Sequence, residues 1–124
     1  MHDTDDDRPT IVRHADEAYE AVRAINHATI NAQPIPAPVV YDFLGNTKTG
    51  GGYGLQQALT QVADGLLRSL ETHEVYDDGD PAENAQAAAD LMREAGALAG
   101  RIGALLEQAQ SRISYQGHAA PDQT

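Results

Sequence analysis

The chain contains no cysteine and no tryptophan, one phenylalanine, and a single lysine, Lys48. Each of these gaps closes a class of function. Without cysteine there are no disulfides, thiolate zinc sites, iron–sulfur clusters or thiol nucleophiles, and a cytoplasmic location is expected. Eight basic side chains stand against 19 acidic ones, a formal charge of −11 with a pI near 4.5. So few cations, scattered along the chain, cannot neutralise a phosphate backbone, so no direct nucleic-acid partner is expected. No apolar run approaches the roughly 18–20 residues needed to cross a bilayer. The segment Met1–Asp7 is acidic where a signal peptide requires positive charge, so no membrane partner is expected either.

Large apolar residues are also scarce. Leu, Ile, Val and Phe together make 23 of the 124 residues, just under the one-fifth or so below which a highly charged chain tends to stay disordered. Alanine, at 21 residues, supplies much of the 41% hydrophobic fraction. The length allows one domain. Its core is expected to be thin and built from closely packed helices, with disordered tails at 1–9 and 118–124. The alanine content and the preference for arginine over lysine point to a high-GC genome such as an actinobacterial one.

What remains is helical in pattern. Ile11, Ala15, Ala18, Val22, Ile25 and Thr29 recur at spacings of four and three, which predicts a first helix over about 10–31 with Thr10 as its cap. Arg13–Glu17 and Glu20–Arg23 are expected as neighbouring ion pairs on it. The prolines at 34, 36 and 38 then oppose helix, since each lacks an N–H donor and disfavours α geometry before it. Val39–Leu44 reads as a packed turn or short helix. Gly45–Gly54, with five glycines, reads as a flexible loop, so 33–54 is expected as a connector. A second helix follows over 55–73, with Leu55, Leu59, Val62, Leu66 and Leu70 in one stripe.

Asp80-Pro81-Ala82-Glu83 is the clearest start signal in the chain. Asp80 can accept an amide hydrogen of the first turn, and Pro81 suits the first helical position. The third helix should run over 81–116 and stop at Gly117. Its apolar stripe is Leu91, Ala95, Leu98, Ile102, Leu105 and Ala109, and Gly96, Gly100 and Gly103 cluster beside it. Glycine costs roughly 1 kcal/mol against alanine inside a helix, so the cluster predicts a close backbone approach there.

The motifs that invite a chemical reading are incomplete. Lys48-Thr49-Gly50 precedes the glycine cluster, the reverse of a phosphate-binding Gly-Lys-Ser/Thr loop. It also matches the Lys-Thr-Gly of serine β-lactamases, but no Ser-x-x-Lys accompanies it. Alternating Asp3, Asp5 and Asp7 meet Arg8 where a calcium loop needs glycine. Around Gly79 the ligand positions fall on Tyr76 and Ala85, which lack carboxylates. Histidines 2, 14, 27, 73 and 118 do not pair into a ligand set. No catalytic residue, metal or cofactor is expected, and the chain is read as a non-enzyme.

Tyr76-Asp-Asp-Gly-Asp80 resembles the Tyr-x-x-x-Asp/Glu element of helical-hairpin proteins exported by actinobacterial type VII systems. In that family the element follows the hairpin, whereas here it lies between the second and third helices. The family's Trp-x-Gly turn is missing. The segment from Pro36 through Leu59, with Val39-Val-Tyr-Asp-Phe-Leu44 and Gly52-Tyr-Gly-Leu-Gln-Gln-Ala-Leu59, resembles small helical actinobacterial proteins without assigned activity, and so implies no functional residue.

These readings converge on an all-α protein, a three-helix bundle with a long C-terminal helix, completed by dimerisation. The expected oligomer interface is Leu91, Gly96, Leu98, Gly100, Ile102, Gly103 and Leu105. A partner surface for an unidentified protein is expected at Val39, Val40, Tyr41, Phe43, Leu44 and Tyr53. The function expected is that of an adaptor or accessory protein. The alternative is an acidic mimic of DNA that occupies a nucleic-acid-binding protein, using the carboxylates of Glu71, Glu74, Asp77, Asp78, Asp80 and Glu83.

Overall fold

The computed structural model describes residues 7–31, 33–72 and 79–117, and all regular structure among them is helical. The chain divides after Ile35 into two compact units.

The first unit is a single helix, α1 (Thr10–Thr29). Pro9 stands at its cap position, and its carbonyl accepts from the amides of Val12 and Arg13 at 3.0 and 3.1 Å. Thr10 is therefore the first helical residue and not the cap; its hydroxyl accepts from Arg13 at 3.2 Å. Glu17 correspondingly meets His14 at 2.7 Å, while Glu20 and Arg23 pair as the sequence predicts, at 3.4 Å. No residue of α1 is buried, and Ile11, Val12, Tyr19 and Val22 are all exposed.

The second unit is an antiparallel hairpin of two long helical runs. The first run begins with α2 (Ala37–Thr47), winds through a π-helical stretch at Lys48–Gly54 and continues as α3 (Leu55–Thr72). Its backbone stays in the right-handed helical region at both junctions. Here the structure corrects the sequence reading. Residues 37–54 are not a connector, and the glycine tract is not a loop. The helical option for Val39–Leu44 holds, and Pro38 sits in the first turn, where its missing N–H costs nothing. The tract stays helical despite its glycines because it is packed, and tertiary contact overrides propensity. Seam-facing residues run Leu44, Lys48, Gly52, eight residues over two turns, where a regular seam takes seven. The wider π winding absorbs the extra one.

The second run is α4 (Pro81–Arg112), 32 residues and about 48 Å long. The Asp80 carboxylate caps it, accepting from the amides of Ala82 and Glu83 at 3.0 and 3.2 Å. The helix ends at Arg112, four residues short of expectation.

The hairpin seam is made mostly of small residues. On α4 the buried positions are Ala85, Ala89, Gly96, Ala99 and Gly103, and on the opposing run Leu44, Gly52 and Ala63. A Cβ on Gly52 would collide with the Gly103 backbone, lying 2.7 Å from its nitrogen, so both glycines are required for the approach. The Tyr53 ring lies 3.0 Å from the position of a Cβ on Gly103.

Candidate functional site

The two flanks of the hairpin seam differ in chemistry. On one flank polar latches cross between the runs. Tyr53 donates its hydroxyl hydrogen to Glu107 Oε1 at 3.1 Å, and Lys48 Nζ lies 3.5 Å from Glu107 Oε2. Arg93 Nη2 meets Asp64 Oδ1 at 2.6 Å. The Tyr53 phenol is pushed above its ordinary 10.0, first by desolvation against α4 and then by the Glu107 carboxylate that accepts its hydrogen bond. Nearer the open end, Gln110 Nε2 donates to the Tyr41 carbonyl at 3.1 Å.

The other flank carries no such latch among the described residues. Leu55 and Val62 occupy the seam-flanking positions of α3 opposite to Tyr53 and Asp64, so in an antiparallel pair they share this side with Ala95 and Ile102 of α4. Beyond them stand Leu91, Leu98 and Leu105. Leu91 is 66% exposed, Leu98 62%, Ile102 47% and Leu105 46%. Among the described residues no large side chain is fully buried. The hairpin thus closes on alanine, glycine and Leu44, and leaves Leu91, Leu98, Leu105 and Ile102 in water.

The expected oligomer interface therefore separates into two faces. Gly96, Gly100 and Gly103 do mark a close helix approach, but within the chain and not between copies. Gly96 faces the Gln56 carbonyl and Leu59 Cβ, Gly100 the Gln56 side chain, and Gly103 Tyr53 and Gly52. Leu91, Leu98, Ile102 and Leu105 stay together on the open flank.

The expected partner surface is divided as well. Val39, Tyr41 and Phe43 are exposed and Val40 is half-buried. Leu44 is buried in the hairpin and cannot meet a partner. Tyr53 is occupied by its contacts with Gly103 and Glu107.

Of the acidic residues, Glu74, Asp77 and Asp78 lie outside the described residues, as do Tyr76 and the segments 1–6 and 118–124. Glu71 and Glu83 are exposed on their helices, while Asp80 spends its carboxylate on the α4 cap. The mimic reading needs carboxylates in a fixed array, and three of the six it names lie outside the described residues. Among the described residues no group of three or more His, Asp or Glu side chains is placed to hold a metal ion. Among them, too, no helix is long and apolar enough to cross a membrane.

Sequence reasoning misses the Lys48–Tyr53–Glu107 latch and the membership of Leu55 and Val62 in the open face. The latch has no signal, because the glycine content of the tract holding Lys48 and Tyr53 points to a loop. The open face has one: on α4 the small-residue series and the large-residue series are two separate heptad patterns.

No family profile, no curated protein and no solved structure matches the chain.

Proposed function

We propose that this protein is a non-enzymatic helical adaptor that works through self-association, with the large-residue stripe of α4 as its contact surface. The observation that carries this reading is the inversion of the hairpin. Apart from Leu44, small residues fill the seam, whereas Leu91, Leu98, Ile102 and Leu105 line one uncovered flank. Covering a large aliphatic side chain yields about 1.5–3 kcal/mol, so four in a row supply ample driving force for association. A cyclic dimer is the commonest closed assembly that would use such a face. The apolar side of α1 and the exposed Val39, Tyr41 and Phe43 offer further surface for a second, different protein. An adaptor acting in the cytoplasm accords with a chain free of cysteine.

Sedimentation equilibrium tests the reading. The unmodified chain should sediment as a concentration-dependent dimer. Leu98→Asp should sediment as a 13 kDa monomer with unchanged far-UV circular dichroism. A 13 kDa species at every concentration for the unmodified chain refutes self-association.

A further inference from the structure

Resting on that reading of the α4 stripe, we infer that its occupant is the α4 stripe of a second copy running antiparallel, in a register that sets Glu94 against Arg101 of the partner subunit. The stripe repeats at spacings of three and four through Ala88, Leu91, Ala95, Leu98, Ile102 and Leu105, which is the pattern of a two-helix seam. Its charged borders decide the direction. Glu94 and Arg101 lie one heptad apart along the outer edge of the stripe, both exposed, and neither has an ion-pair partner within the chain among the described residues. Every other charged side chain of α4 from Asp90 to Glu107 does have one: Arg93 pairs with Asp64 and Asp90, and Glu107 with Lys48.

A parallel dimer places identical residues level but on opposite flanks of the seam, so Glu94 would face the partner's Ala99 and Arg101 the partner's Leu106, and neither charge would find its opposite. An antiparallel dimer shifted by one heptad sets Arg101 against the partner's Arg101. Only the antiparallel register centred between Gly96 and Ala97 pairs opposite charges, and the two-fold axis makes that pair twice.

The same register matches large residues to small ones. Leu98 falls opposite the partner's Ala95 and Leu105 opposite the partner's Ala88, while in the layer between them Leu91 meets the partner's Ile102. The alternation lets the helices approach without overpacking. Electrostatics does not oppose the contact, because α4 holds four acidic and three basic side chains and so carries little of the chain's −11.

Charge reversal decides the orientation. The dissociation constant of the full chain is measured by sedimentation equilibrium at low salt for the unmodified protein, Glu94→Lys, Arg101→Glu, and the double variant. Circular dichroism confirms that each remains helical. Each single reversal places two like-charge contacts at the interface and should weaken the dimer about tenfold. The double variant restores opposite charges and should return to within about twofold of the unmodified protein, with the differences shrinking as salt rises. A dimer indifferent to the single reversals, or a double variant as weak as the singles combined, overturns the antiparallel register while leaving self-association intact. Such a result would favour α4 lying over the partner's α3. A monomeric unmodified chain overturns the self-association reading itself.

Discussion

Adding a single methyl group at adjacent glycines should move stability in opposite directions. Gly50, Gly51 and Gly52 are consecutive, share helical backbone geometry and differ only in what lies beyond the Cα. A Cβ on Gly50 or Gly51 meets nothing within 4 Å. Alanine there should therefore recover most of the helix-propensity deficit of glycine, about 0.5–1 kcal/mol at each position. At Gly52 the new Cβ would lie 2.7 Å from the Gly103 nitrogen, against backbone that has no rotamer to escape into. The runs must separate, and overpacking of this kind costs about 1–3 kcal/mol, more than the propensity gain. The propensity gain is common to both, so Gly52→Ala and Gly51→Ala should differ by the overpacking cost, about 1–3 kcal/mol. Two-state domains of 60–100 residues shift by about 4–8 °C per kcal/mol, which makes a gap of at least about 4 °C in midpoint. Thermal and urea unfolding followed by far-UV circular dichroism, at one fixed protein concentration, measures it. If Gly52→Ala is as stable as Gly51→Ala, the glycine-to-glycine approach does not hold the hairpin together.

Asp80→Ala removes the acceptor for two amides at the start of α4 and should lower stability by about 1 kcal/mol, whereas Asp80→Asn should lose much less; urea titration separates the two. Tyr53 should titrate above the ordinary tyrosine range in an absorbance titration, and Tyr53→Phe should remove that step. Because the folded-state pKa is the raised one, the stability linked to Tyr53 is fully present below pH about 10 and is lost as pH rises through the folded value. A double-mutant cycle on Arg93→Ala and Asp64→Ala should return a coupling of about 0.5–1 kcal/mol for this half-exposed pair, and a coupling indistinguishable from zero would mean solvent screens it fully.

The helix starts are legible in the sequence where local chemistry is strong. The Asp80-Pro81 cap locates α4 because capping is settled within four residues, and the α3 stripe announces itself because its leucines recur at helical spacing. The run over 37–54 is not legible. Three prolines and five glycines between 34 and 54 oppose helix by every local rule, and only contact with α4 outweighs them. The core face of α4 is hidden for a related reason. Ranking residues by hydrophobicity selects Leu91, Leu98, Ile102 and Leu105 as the core, but the seam goes to Ala85, Ala89, Gly96, Ala99 and Gly103. Where the pair is held at glycine distance, at Gly52 and Gly103, no room is left for leucine between the backbones. The glycine cluster does predict close approach; what it cannot specify is that the partner helix belongs to the same chain.

A seam of alanine and glycine has a calorimetric consequence. The heat capacity of unfolding grows by about 0.45 cal/mol/K for each Å² of apolar surface newly exposed, and folding of this hairpin withdraws little such surface from water. Its unfolding should therefore fall below the usual 12–15 or so cal/mol/K per residue, giving a shallow stability curve that bends little between cold and heat. The hydration heat capacity of Leu91, Leu98, Ile102 and Leu105 stays with the folded hairpin until something covers that flank. Association should then carry a large negative heat-capacity change for so small a protein, and dilution should alter the curvature of its melting as well as the midpoint.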